Sequence, residues 1–179
     1  MTDAISLLLE LTEQERWGFL LLLRVKNTSF NRWFFPDPEI TCLRFAPIET
    51  LHPLEWYTSM LVSGESGGTT IQPESESSYS FRVRPCTIDP KVTQFEDDWD
   101  YGRWCLRLIQ GEFRVWAKCT VNENYFHPDS HLRLKDMDKM ASANGASLWT
   151  GTIQSNILSV YYAEQSDPPK SPVGHESES

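Results

Sequence analysis

GEFRVWAKCTV, residues 111–121, is the stretch on which the fold turns. Phe113, Val115, Ala117, Cys119 and Val121 fall at every second position, and Arg114, Trp116, Lys118 and Thr120 fall between them. Successive side chains of a strand point to opposite faces, so the pattern predicts a core strand with one dry face, not the floor of an active site. Gln110-Gly111 turns the chain before it, and Trp104, Leu106 and Leu108 alternate in the same way upstream.

Outward from there, period two recurs through the chain, while no long segment keeps an i, i+3, i+4 apolar stripe. Ile5, Leu7, Leu9 and Leu11 line one face of a first strand, followed by a polar connection at Thr12-Glu13-Gln14-Glu15. Trp17, Phe19, Leu21, Leu23 and Val25 line a second. Leu20 and Leu22 on its other face predict a central strand covered on both sides. Further strands are expected at 41–45, 56–63, 79–84 and 152–162. In the last of these the apolar phase changes from Ile153 and Ile157 to Leu158 and Val160, which predicts a bulge. Gly64-Glu65-Ser66-Gly67-Gly68 reads as a turn needing positive φ. Residues 86–103 read as an irregular acidic connection, and 122–140 as a polar insertion with a short helical piece near 132–143. After Ala163 the chain turns to Ser, Pro, Glu and Lys with almost nothing to bury. This predicts one domain over residues 1–163 and a disordered polar tail over 164–179. The expected class is all-β: a two-sheet antiparallel sandwich with long loop insertions.

The bulk numbers agree with a folded binding protein. At 179 residues and 40% hydrophobic, the chain is long and apolar enough to bury a core unaided. A net charge of −9 argues against phosphate-backbone binding, which clustered Lys and Arg drive, so nucleic acid is not expected. A protein with a basic or neutral surface is the expected partner. No apolar run approaches membrane-spanning length, and Met1-Thr2-Asp3 opens without a basic leader, which predicts no membrane partner and a cytoplasmic location. Cys42, Cys86, Cys105 and Cys119 are widely spaced with no C-x-x-C, so reduced thiols are expected, with a Cys105–Cys119 bridge as the alternative.

Four motifs in order carry a resemblance: LLLRVKNTS, TIQPESESSYSFRV, QGEFRVWAKCTV and WTGTIQSNILSVYY. In strand grammar they resemble bacterial immunoglobulin-like domains, and chain size and order are similar to the bacterial intracellular proteinase inhibitors. The resemblance implies an immunoglobulin-like sandwich that acts through its loops without catalysis. Phe113 stands where those domains often carry Tyr after the turn glycine, so no tyrosine corner forms from that side chain. The insertions at 86–103 and 122–147 have no counterpart in that pattern.

Chemistry-bearing motifs are few. His127, Asp129 and His131 at i, i+2 and i+4 are the best metal-binding set, with His52 or Asp136 as a further ligand, and they define the alternative of a metal-binding protein or metal-dependent hydrolase. Proline-flanked Asp-Ser is equally ordinary turn chemistry. Glu96-Asp97-Asp98-Trp99-Asp100 lacks calcium-loop spacing and reads as a solvated acidic loop. There is no Gly-x-Ser-x-Gly and no phosphate-cradling glycine loop, and Cys105 and Cys119 read as small core hydrophobes. No enzyme, metal or cofactor is therefore expected. Asn27-Thr28-Ser29 matches a glycosylation sequon but reads more simply as a strand-ending turn. Surplus aromatics remain: Trp33, Phe34, Phe35, Trp56, Trp99 and Tyr101 fall in loops or on outward phases and are the expected partner-binding anchors. The competing reading has these rings fold back as a secondary core. The expected function is a non-catalytic protein-binding module, an inhibitor or regulator of an intracellular protein such as a protease. A structural component tethered through its tail is a further alternative.

Overall fold

The structure, a computed structural model, describes residues 4–15, 18–50, 52–60, 67–85, 93–97, 103–126 and 132–163. Along the chain run β1 (Ile5–Glu15), β2 (Gly18–Asn27), β3 (Trp33–Pro36), a 3-10 turn (Ile40–Cys42) and β4 (Leu43–Pro47). Then come β5 (Tyr57–Met60), β6 (Gly68–Ile71), β7 (Glu76–Pro85), β8 (Thr93–Asp97) and β9 (Arg103–Leu106). β10 (Gly111–Val121), α1 (Leu134–Ala143), β11 (Ser147–Leu148), β12 (Gly151–Gln154) and β13 (Leu158–Tyr162) complete the order.

β10 is the expected core strand. Phe113, Val115, Ala117, Cys119 and Val121 are buried, and the residues between them are partly or fully exposed. It is the centre of one antiparallel sheet, with β4 on one side and β12 and β13 on the other. A second antiparallel sheet has the order β1-β2-β7-β8-β9-β5. Its inward residues Ile5, Leu9, Phe19, Leu21, Leu23, Val25, Phe81 and Val83 share one core with those of β10. Phe19 and Phe45 meet across it with ring centroids 6.1 Å apart. The chain is thus mostly β and sandwich-like.

Four expectations need correction. β1 does not stop at Leu11. It bulges between Leu11 and Glu13 and pairs on to Glu15 opposite Gly18, because a two-stranded ladder is held by backbone bonds that polar side chains do not interrupt. β2 lies between β1 and β7, yet its outer face is only half covered. Leu20 and Leu22 are half-buried, and an Arg24 guanidinium bonded to Glu10 and Glu76 ties the three strands on that side. The connection at 86–103 contains β8, whose acidic residues conceal a strand paired with β7 and β9. Gly68 lies within β6 rather than in a turn: a Cβ there would stand 2.4 Å from the Phe34 ring and 2.8 Å from the Phe35 carbonyl, so close packing requires the glycine. The expected helical piece is α1, capped by the Asp136 carboxylate accepting from the Arg133 N–H.

The expected bulge joins the two sheets. From Lys118 to Val115 β10 takes three steps, while its partners run from Gln154 to Leu158, four steps, so the return strand carries one extra residue. Ser155 and Asn156 occupy the break. The Ala117 N–H donates to Ser155 Oγ and the Ser155 N–H donates to the Ala117 carbonyl, both at 2.9 Å. Asn156 turns the other way, accepting from the Leu9 N–H at 2.8 Å and donating to the Leu9 carbonyl at 2.9 Å. One side-chain amide thereby imitates a strand partner for the edge of β1. At the opposite border the Leu54 N–H donates to the Phe45 carbonyl and Trp56 Nε1 to the Leu43 carbonyl.

Replacing Ser155 with alanine strips the buried Ala117 N–H of its acceptor. The expected cost is about 1–3 kcal/mol, read as a midpoint lowered by roughly 3–10 °C in thermal unfolding. An unchanged midpoint would show that the break needs no hydroxyl.

Candidate functional site

Two features stand out from the core: a loop closed by a buried asparagine, and a groove beside the end of β10. The loop follows β2. Asn27, at its last position, has no solvent exposure, and every polar atom of its side chain is used. Its Nδ2 donates to the carbonyls of Asn31 at 2.7 Å, Gln72 at 3.0 Å and Ile71 at 3.2 Å. Its Oδ1 accepts from both the N–H and the hydroxyl of Ser29 at 2.9 Å. Ser29 Oγ in turn accepts from Trp33 Nε1 at 2.8 Å and from the Asn31 N–H at 3.3 Å. Between the two pinned residues, Ser29 and Asn31, stands Phe30, 89% exposed. The expected strand-ending turn at Asn27-Thr28-Ser29 is present, and the burial of Asn27 makes its amide inaccessible to a glycosylating enzyme in the folded chain.

The groove, of about 470 Å³, exists because β4 and β10 part company. Their pairing runs from Pro47 opposite Phe113 to Leu43 opposite Ala117, beyond which the chain on the β4 side is coiled into the 3-10 turn. β10 continues from Lys118 to Val121 beside β12 alone among the described residues. Pro36 to Glu39, Thr41 and Arg44 line it from one part of the chain, and Lys118, Thr120, Asn122, Asn124, Tyr125 and Phe126 from another. Asp37 Oδ1 accepts from Thr69 Oγ1 at 2.8 Å and Tyr79 Oη at 3.1 Å. Burial, reinforced by Asp37, pushes the Tyr79 phenol up; burial first, and then Glu39, does the same to Tyr125. On the floor, the Cys119 thiol and then burial raise that of Cys42. Raised in this way, the thiol and the phenols stay protonated at neutral pH.

The expected anchors are scattered by the fold. Phe34 and Phe35 are each 1% exposed: Phe34 packs with Met137 and Ala141 of α1, and Phe35 lies 5.2 Å from the Trp149 ring. They cannot touch a partner, because β3 pairs with β6 and β11 into a small third sheet whose rings become core. Trp33 packs against the main core and braces the Phe30 loop. Trp56 is half-buried, edge-on to Phe45 at 6.1 Å. Trp99 and Tyr101 lie outside the described residues, as do His127, Asp129, His131, Asp98, Asp100 and the 164–179 tail. Asp136 caps α1 and His52 lies exposed. Among the described residues no three His, Cys, Asp or Glu gather as a metal site, and no helix is long and apolar enough to cross a membrane. Phe30 was missed because a lone apolar residue in a polar loop carries no periodicity. The Asn-Thr-Ser preceding it is the one signal that the loop is rigid.

No protein-family model, curated protein or solved structure matches the chain.

The raised phenols fix a pH dependence. Below pH 10, the ordinary tyrosine value, Tyr79 and Tyr125 are protonated in both folded and unfolded chains and add no slope. Above it the unfolded chain sheds protons that the folded chain retains, so stability falls as pH rises. Ultraviolet titration should find these two phenols silent until the fold opens, and Tyr79→Phe should reduce the steepness of alkaline unfolding. Titration of all six tyrosines near pH 10 in the folded protein would contradict this.

Proposed function

We propose that the chain is a non-catalytic protein-binding module of immunoglobulin-like sandwich type, which docks through Phe30 on the loop locked by Asn27. The observation that carries this reading is the combination of an 89% exposed aromatic ring with a backbone held on both sides of it. An aromatic ring is the usual anchor of a protein interface, filling a pocket of the partner. Ordering a mobile loop on binding costs free energy, and the Asn27 and Ser29 bonds meet that cost when the protein folds. Trp33 contributes as a strut rather than as a contact.

Inhibition of a protease is the narrower version. A pinned loop that offers one large apolar side chain suits an enzyme with a deep apolar primary pocket, and the net charge of −9 favours a basic or neutral enzyme surface. The raised thiol and phenols of the groove support the non-catalytic part of the proposal.

Capture from native lysate should recover a partner that Phe30→Ala loses by at least about 30-fold in affinity, corresponding to roughly 2 kcal/mol for an anchor. Asn27→Ala keeps the ring but frees the loop, and should weaken the same partner while leaving Phe30 in place. Undiminished capture by Phe30→Ala removes the anchor assignment. For the inhibitor version, a chymotrypsin-type protease is the probe. Wild type should inhibit it at micromolar concentration or below and Phe30→Lys should transfer inhibition to a trypsin-type enzyme; no inhibition of either eliminates that version.

A further inference from the structure

Cys42 and Cys119 come from distant parts of the chain, and the pairing of β4 with β10 does not by itself place them face to face. The β4–β10 register, extended one step past Leu43 opposite Ala117, sets Cys42 opposite Lys118, on the outward phase. The 3-10 turn changes that. Closed by the Cys42 N–H donating to the Glu39 carbonyl at 2.8 Å, it rotates Cys42 to the inside, where Cys119 already points as part of the buried alternation of β10. The two thiols are neighbours: Cys42 follows the Leu43–Ala117 pairing by one step, beside Cys119, and the Cys119 thiol is the first cause that raises that of Cys42. Both are reduced, both are 9% exposed, and both line the floor of the groove, which gives a small reagent a route to them. The neighbour of Cys119 is thus Cys42 and not the Cys105 of the sequence-based alternative.

We propose that Cys42 and Cys119 form a dithiol site that a small disulfide of the glutathione type oxidises to an intramolecular bridge. One thiol gives its proton to water, and its sulfur attacks a sulfur of the reagent. A mixed disulfide forms and one reduced glutathione leaves. The second cysteine then loses its proton and attacks the protein-side sulfur of that mixed disulfide, closing the Cys42–Cys119 bond and releasing the second glutathione. The protein gives up two electrons and two protons, and one oxidised glutathione becomes two reduced molecules. The bridge ties the 3-10 turn to β10 across the groove floor and cross-links residues far apart in sequence, a change that stabilises by restricting the unfolded chain. Because burial and the neighbouring thiol raise Cys42, the reaction is slow at neutral pH and speeds up as pH rises, through the thiolate fraction.

The full chain, incubated with oxidised glutathione and then alkylated, tests this by intact-mass measurement and peptide mapping. The expected product is about two mass units lighter than the reduced chain before alkylation and carries alkyl groups on only Cys86 and Cys105 after it, with residues 42 and 119 linked, reversed by dithiothreitol, and formed about tenfold faster per pH unit in the neutral range. Its thermal midpoint should rise by roughly 5–10 °C. Cys105→Ser should form the same bridge. A persistent adduct of one glutathione, a chain that keeps all its thiols, or a bridge mapped to Cys105 or Cys86 would each overturn the assignment. Mapping of the wild-type chain separates these outcomes even where Cys42→Ser or Cys119→Ser fails to fold, and none of them depends on Phe30 or a protein partner.

Discussion

One extra residue in the strand that returns beside β10 governs how the two large sheets meet. Without it, β12 and β13 would be a single strand in one register, and the residues after Ser155 would have their backbone groups committed to β10. The insertion sends Ser155 inward, where it serves the buried backbone of Ala117, and releases Asn156 to serve the edge of β1. An edge strand leaves a row of unpaired donors and acceptors that must be covered or paired. Here a side-chain amide, with one donor arm and one acceptor, pairs with Leu9 as a strand residue would. Burial of the apolar faces drives the sheets together, but it is non-directional; the Ser155 and Asn156 bonds supply the direction.

Asn27 and Ser155 are the buried polar residues among those described, and both sit where a strand must end or break. This distribution follows from the cost of a buried polar group, which is tolerable only where backbone groups would otherwise go unpaired. Asn27 bonds the carbonyls of Ile71, at the end of the β3–β6 ladder, and of Gln72 and Asn31, and in doing so it holds the loop that carries Phe30. A bond network needed to end β2 therefore also fixes the position of the most exposed aromatic ring among the described residues.

Much of the sheet structure was legible because burial on one face leaves a period of two in the residues. β2, β7, β10 and the phase slip at the last strand all announced themselves in this way, and the slip is the bulge. What stayed hidden obeys other constraints. β8 is acidic and pairs through its backbone, and the end of β1 is polar, so neither leaves an apolar trace. Trp33, Phe34 and Phe35 carry no alternation, and reading them as surface anchors overlooked β6 and β11, which make them part of a third sheet. The WTGTIQSN stretch has a physical reason apart from any resemblance. Trp149 stacks near Phe35, Gly151 holds a φ of +147° with its missing Cβ 3.3 Å from the Trp149 ring, and Ser-Asn fills the bulge.

The same local event, a strand abandoning its partner, generates both the groove and the thiol pair. Had the chain before Leu43 stayed a strand, Cys42 would face outward, the edge of β10 from Lys118 onward would be covered, and no groove would open between them. Coiling into the 3-10 turn exposes that edge and turns a thiol inward at once, so the geometry that creates a recess also places a bond-forming pair beneath it. The turn gains two backbone bonds, from the Cys42 N–H to the Glu39 carbonyl and from the Leu43 N–H to the Ile40 carbonyl, in exchange for the ladder it gives up. A covalent link between Cys42 and Cys119 would act on this weakly held element, where a single new bond changes the local balance most, rather than on the ladders of β10 that the core already secures.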